Sequence, residues 1–233
     1  MRTIGLIGGM SWESSAQYYR IINQRVRERL GGVHSARSLM YSVDFGRIET
    51  LQHGGDWARL AAEMADAAQR LQRGGADFVM LCTNTMHRVA DAVAESVSIP
   101  LLHIADPTAK RIVAAGNRRV GLLGTAFTME QDFYRTRLAD RFGLEVLVPD
   151  EADRAVVHAV IYRELVAGVV RPAARKAYRR IMARLVERGA EAIVLGCTEI
   201  MLLVRDEDST VPLFDTTALH AEAAVEWALG DEG

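Results

Sequence analysis

Three motifs in the first half of the chain return in the same order in the second. "TIGLIGGMS" (Thr3–Ser11) is echoed by "RVGLLGTAFT" (Arg119–Thr128), and "LQRGGADFVMLCTNT" (Leu71–Thr85) by "LVERGAEAIVLGCTEI" (Leu185–Ile200). "SIPLLHIADPTA" (Ser98–Ala109) is echoed by "TVPLFDTTALHA" (Thr210–Ala221). Spacing repeats with order: Gly5 precedes Cys82 by 77 positions, and Gly121 precedes Cys197 by 76. Two copies are too few for a solenoid, so the pattern reads as a duplicated domain. A chain of 233 residues has room for two small cores.

Within each copy, short Val/Ile/Leu-rich runs alternate with longer stretches of helical periodicity. Strands are expected over 3–7, 37–42, 78–82, 101–104, 119–123, 145–148, 192–195 and 213–214. Helices are expected over 14–29, 56–73, 86–96, 129–142, 153–167 and 173–188. Near-continuous apolar strands suit parallel sheets covered on both faces, and strand–helix alternation defines an α/β fold. The expected architecture is two pseudo-symmetric α/β domains, each a parallel sheet with helices on both faces, and an active site in the cleft between them. The crossings are placed so that one domain takes 1–97 plus 215–233 and the other 98–214.

Several functions are disfavoured at the outset. A net charge of −2, with basic residues interleaved with acids as in "RIINQRVRERL", makes no case for nucleic acid. No apolar run approaches the roughly 18 residues of a membrane span. The first residues enter "TIGLIGG" without a signal-peptide pattern, so a cytoplasmic location is expected. "GLIGGMS" lacks the lysine of a P-loop and the spacing of a dinucleotide fingerprint; its glycines fit a close backbone approach to a small ligand. The two cysteines are neither a C-x-x-C pair nor part of a zinc pattern, and a reducing compartment disfavours a disulfide.

Each cysteine ends a buried strand and precedes a threonine and an expected helix start: "CTNTMHRVADAVAE" and "CTEIMLLV". Carboxyl ends of parallel strands are where open α/β sheets hold ligands. A following helix offers unpaired N–H groups and a positive dipole end, which favour a bound carboxylate and a thiolate. Thr83 and Thr198 are candidates to cap those helices, to bind a ligand, or to do both. Approximate twofold symmetry could then set Cys82 and Cys197 on opposite faces of one carbon. Two acid/base groups so placed can invert a stereocentre, one removing the α-proton and the other delivering one from behind. The bland alternative is that both are inert buried thiols.

These motifs resemble the aspartate/glutamate racemase family of cofactor-independent amino-acid racemases, and in particular its bacterial broad-specificity branch. The resemblance runs from "IGLIGGMSWESSAQYY" to "FDTTALHAEAAVEW" and is carried by "VMLCTNTMHR" and "IVLGCTEIMLL", with "SVDF", "HIAD" and "TMEQDFYR" between them. It implies racemisation of free amino acids, acidic or of broader range, without pyridoxal phosphate or metal, often in a homodimer. By the same resemblance Cys82 and Cys197 are catalytic, and Met10, Gln52, Thr83, Asn84 and Thr85 contact the substrate. Thr198 is added by its motif and its correspondence with Thr83. Glu164 stands where some acid-specific relatives carry lysine, whereas Arg47 could pair with an acidic substrate. Met201 departs from the smaller residue or proline usual after the second motif. A decarboxylase or isomerase of the same superfamily, or a non-enzymatic binding protein, remains an alternative.

Other residues have two readings. His87 could tune Cys82 or serve the fold, and His103 is similarly placed. Asp106 and Asp215 could orient loops or cap helices. Trp12 and Trp57 read as packing or site-wall residues. Lys110 and Lys176, the only lysines, sit in helical stretches that do not suggest a Schiff base.

Overall fold

The computed structural model of the chain describes residues 1–230. Two compact units emerge: Met1–Ile104 together with the chain from His220 onward, and Ala105–Leu219. The expected divisions lay at 97/98 and 214/215; positions 231–233 of the expected first domain lie outside the described residues.

The first unit runs β1 (Ile4–Gly8), α1 (Trp12–Leu30), β2 (Ser38–Ser42), α2 (Phe45–Gly54), α3 (Trp57–Arg73), β3 (Phe78–Leu81), α4 (Ala90–Glu95) and β4 (Leu101–Leu102). The second runs α5 (Ala105–Ala114), β5 (Arg119–Gly124), α6 (Ala126–Glu130), α7 (Asp132–Phe142), β6 (Glu145–Leu147), α8 (Glu151–Arg163), α9 (Pro172–Glu187), β7 (Ala192–Gly196), α10 (Ile200–Leu203) and β8 (Leu213–Asp215). α11 (Thr216–Leu229) begins in the second unit and continues in the first.

Every expected strand is present, and all pairings are parallel. The sheet orders are β2-β1-β3-β4 and β6-β5-β7-β8, which is one topology written twice. Small details repeat with it. Asp77, just before β3, accepts from the Thr3 N–H at 2.5 Å. Glu191, just before β7, accepts from the Arg118 and Arg119 N–H groups at 2.6 and 3.0 Å. Each carboxylate thus fixes the register where its central strands begin.

The central strands β1, β3, β7 and, beyond Arg119, β5 bury both faces, which is why they carry only apolar residues and glycine. In the first unit Ile4, Leu6, Phe78, Met80 and Cys82 pack with Tyr18, Ile22 and Val26 of α1 and with Ala221, Ala224 and Val225 of α11. Ile7, Val79 and Leu81 face the other way, toward Leu60, Met64 and Leu71 of α3. In the second unit Leu123, Ile193, Leu195 and Cys197 pack with Val157 and Ile161 of α8 and Tyr178, Ile181 and Leu185 of α9.

The helices depart from expectation in several places, and the expected helix 153–167 stops at Arg163 before a 3-10 turn over Leu165–Ala167. α2 lies in a stretch with two glycines and little periodicity; Asp44 starts it by accepting from the Gly46 N–H at 3.2 Å. The expected helix 129–142 begins earlier, at Ala126, and breaks at Gln131, whose backbone is extended, giving α6 and α7. The expected helix 86–96 starts as a 3-10 turn, Thr85–Val89, before α4.

Candidate active site

The first cysteine loop leaves β3 beside β1, where the strand order reverses and parallel sheets open a crevice at their carboxyl ends. The Cys82 N–H donates to the Ile7 carbonyl at 2.9 Å, so the cysteine prolongs the β1–β3 ladder by one rung. Met10 follows β1 and is buried. The intervening Gly9 has φ +93°, and a Cβ there would overlap the Val43 backbone that follows β2. Only glycine lets those two chains approach so closely. Gln52 of α2 is buried and donates from Nε2 to the Met86 Sδ at 3.3 Å. Cys82, Met10, Gln52, Thr83, Asn84 and Thr85 are therefore assembled at the carboxyl ends of β1, β2 and β3, all of them buried.

His87 shapes this loop through both ring nitrogens. Nδ1 donates to the Thr83 carbonyl at 2.7 Å, and Nε2 accepts from the Ile104 N–H at 3.1 Å. One donor and one acceptor define a neutral ring that ties the loop into the fold. His103 lies against it with ring centroids 4.4 Å apart. Trp57 carries the Arg88 guanidinium on its face at 4.0 Å, whereas Trp12 is exposed.

The second cysteine loop leaves β7 beside β5. Gly196 precedes Cys197, and a Cβ there would come within 2.7 Å of a Leu122 methyl group and 2.9 Å of the Leu123 carbonyl. Thr216 closes the strand end by donating from Oγ1 to the Leu195 carbonyl at 2.8 Å. Cys197 and Thr198 are buried, and so is Glu199, which the motif reading passed over. The Cys197 Sγ–H donates to Glu199 Oε2 at 3.0 Å, and Thr198 Oγ1 donates to the same oxygen at 2.9 Å. The signal was available: "CTNT" and "CTEI" differ at the second position after the cysteine, amide in one copy and carboxylate in the other.

Two expectations about these loops are corrected. Thr83 and Thr198 do not cap helices: the Asn84 and Glu199 cap positions make no side-chain capping bond, and the Thr198 hydroxyl is spent on Glu199. The thiolates are not favoured either. A 3-10 turn and the four-residue α10 are short sources of dipole. Burial pushes Cys82 far up, and burial followed by the Glu199 charge pushes Cys197 well up.

Glu164 ends α8, and its Oε2 is buried without a hydrogen bond; the Arg171 Nε lies 3.9 Å away. Burial holds the Tyr178 phenol well above its ordinary range, with charge at Cys197 and then at Glu164 adding to the effect, so all three share one electrostatic neighbourhood. Arg47 pairs with Glu63 on the surface of the first unit, where Nε to Oε1 is 2.8 Å. Asp106 forms a two-bond ion pair with Arg137 at 2.6 and 2.7 Å, and Asp215 accepts from the Thr217 N–H at 2.8 Å, as a capping residue does. Among the described residues no group of three or more His, Cys, Asp or Glu could hold a metal ion, and no helix is long and apolar enough to cross a membrane.

The chain matches the Asp/Glu/hydantoin racemase family over residues 7–224. It is 25% identical over 230 residues to the broad specificity amino-acid racemase RacX of Bacillus subtilis (strain 168), covering 95% of this chain and 96% of RacX. The crystal structure of a candidate Asp/Glu racemase from Yersinia pestis superposes with a TM-score of 0.91 at 52% identity, covering 98% of this chain and all of that one (100%). PH1733, an aspartate racemase homologue from Pyrococcus horikoshii OT3, gives 0.84 at 33% identity, covering 98% and 99%. The chain belongs to the Asp/Glu/hydantoin racemase family, and its class is that of an isomerase acting as an amino-acid racemase.

Proposed function

We propose that the protein interconverts the L- and D-enantiomers of free amino acids with Cys82 and Cys197 as its two acid/base groups. One observation carries this reading. The two cysteines occupy the same place in two copies of one topology, immediately after β3 and β7, each beside the point where strand order reverses. A thiolate at one sulfur takes the α-hydrogen as a proton, leaving the electron pair of the C–H bond on the α-carbon and its carboxylate. The thiol at the other sulfur returns a proton to the opposite face. In the reverse direction the roles exchange.

The upward shift that burial imposes on both thiols sets a condition on this chemistry. An amino acid brings an ammonium group, and a positive charge beside a buried sulfur favours its thiolate. Desolvation strengthens that attraction, so substrate binding itself creates the base. Thr83, Asn84, Thr85 and Thr198, with Met10 and Gln52, are the residues proposed to hold the substrate. Fixed donors near its carboxylate would stabilise charge as it develops there. Lys110 in α5 and Lys176 in α9 lie away from the cysteine loops in sequence, which fits chemistry without a pyridoxal Schiff base.

The substrate reading is neutral or broad rather than strictly acidic, because Glu164 would repel a side-chain carboxylate and Arg47 already pairs with Glu63. The enzyme is read as a cytoplasmic homodimer. The test is incubation of purified protein in heavy water with each enantiomer of aspartate, glutamate and several neutral amino acids, without added cofactor. Loss of optical activity should accompany deuterium incorporation at the α-carbon. Racemisation confined to aspartate and glutamate would contradict the broad reading, and none with any substrate would contradict the activity.

A further inference from the structure

Three of the six histidines form one buried cluster in the first unit, although they come from three separate stretches of the chain. His87 belongs to the turn after Cys82, His103 follows β4, and His220 lies in α11. The His87 ring meets the His103 ring with centroids 4.4 Å apart and the His220 ring at 5.9 Å. His220 Nε2 donates to the Leu102 carbonyl at 2.9 Å, so its Nδ1 accepts from the Tyr18 hydroxyl at 3.0 Å. His87 donates to the Thr83 carbonyl and accepts from the Ile104 N–H. These bonds gather at the two places where the chain passes between the units, Ile104 to Ala105 and Leu219 to His220.

We infer that this imidazole cluster is an acid-sensitive latch on the Cys82 loop, with His87 as its sensing ring. A proton from solvent, added to the Nε2 lone pair of His87, turns that nitrogen into a donor facing the Ile104 N–H, which cannot accept. The bond is lost, and a positive charge is buried beside two further imidazoles. His220 differs, because the Tyr18 hydroxyl can turn to accept from a protonated Nδ1. The groups that face His87 are the His103 ring after β4 and the His220 ring of α11. Cys82 after β3 and Tyr18 of α1 pack together with Ala221 and Ala224 of α11. None of these four titratable groups is a carboxylate, the partner that would hold an imidazolium in place. An unperturbed imidazole gains its second proton at about pH 6.5. The latch is therefore closed at neutral pH and opens in acid, freeing the Thr83–His87 turn from Ile104. His87 acts through the loop and is a positioning residue; its effect on racemisation rests on the two-thiol reading, because the freed turn begins at Cys82.

The test compares the unaltered protein with His87→Gln, whose side-chain amide offers one donor and one acceptor but takes up no proton in this range. Racemisation is measured at about pH 5 and about pH 7.5, either side of the ordinary imidazole value, each protein against its own neutral rate. The unaltered protein should lose about tenfold more of its rate in acid than the variant, as expected for one proton on one ring. Thiol ionisation affects both proteins and cancels in the comparison. A second readout needs neither activity nor a variant: hydrogen exchange of the Ile104 amide in the unaltered protein, corrected for the chemical rate at each pH. Its reference is the Val79 N–H, which donates to the Pro100 carbonyl at 2.9 Å. Protection at Ile104 should fall about tenfold relative to Val79 between the two conditions. An unchanged ratio of the two amides would overturn the latch, and so would equal acid losses by the variant and the unaltered protein. Absent racemisation with acid-sensitive exchange at Ile104 would defeat the two-thiol reading and leave the latch standing.

Discussion

His87 donates from Nδ1 to the carbonyl oxygen of Thr83 at 2.7 Å, across the turn that begins at Cys82. The bond is buried and local, and the second ring nitrogen ties the same loop to Ile104 beyond β4. The position of Cys82 is thus held by the His87 ring as well as by β3.

The first prediction concerns that ring. His87→Ala leaves a buried carbonyl and a buried N–H without the imidazole, at about 1–3 kcal/mol for each group. The thermal midpoint should fall by several degrees, read by calorimetry. Racemisation should fall further than the remaining folded fraction explains, because the loop carries Cys82 and Thr83. An unchanged midpoint would show that the two bonds contribute nothing.

The second concerns the thiols. An unperturbed cysteine ionises near pH 8.5, and burial moves both thiols upward. Without substrate, iodoacetamide at pH 7 should modify Cys82 and Cys197 more slowly than an exposed cysteine. Thiol values raised by folding contribute stability below the ordinary thiol range, and that contribution is lost as pH rises past it. Reaction at the rate of a free thiol at pH 7, measured by mass spectrometry, would contradict the burial argument.

A third prediction follows from Glu191. Its two backbone hydrogen bonds, from Arg118 and then Arg119, hold the carboxyl below the ordinary glutamate range. The stabilisation is present above that range and is lost as pH falls through the folded value. Glu191→Gln should therefore flatten the decline of the thermal midpoint in acid relative to the unaltered protein. Parallel acid profiles for the two proteins would show that this carboxylate is not a source of the decline.

The fourth concerns specificity. Glu164→Lys places a cation where a buried carboxylate oxygen now stands without a hydrogen bond. The ratio of kcat/KM for aspartate to that for a neutral amino acid should rise by roughly tenfold, equivalent to about 1.4 kcal/mol. An unmoved ratio would show that position 164 does not select the side chain.

The repeat made the architecture legible, because duplication of Gly5…Cys82 as Gly121…Cys197 dictates one sheet topology twice, and apolar strands covered on both faces leave little choice of element type. α2 was not legible: its two glycines weaken the periodic signal, and tertiary burial of Ile48 and Gln52 supplies what propensity lacks. The position of each cysteine loop at a strand end was legible, but the bonding within the loops was not. Sequence spacing suggested threonine caps, whereas the short turns after both cysteines redirect the Thr83 carbonyl to His87 and the Thr198 hydroxyl to Glu199. Thiolate character failed for the same reason, since the helices expected to supply a dipole are brief and the sulfurs are buried.

The account stands on two thiols serving one α-carbon, and the most direct measurement is α-hydrogen exchange in heavy water by Cys82→Ser and Cys197→Ser. The prediction is that neither variant racemises, while each that retains exchange does so with one enantiomer only, opposite in hand for the two variants. Full interconversion of both enantiomers by both single variants would contradict it.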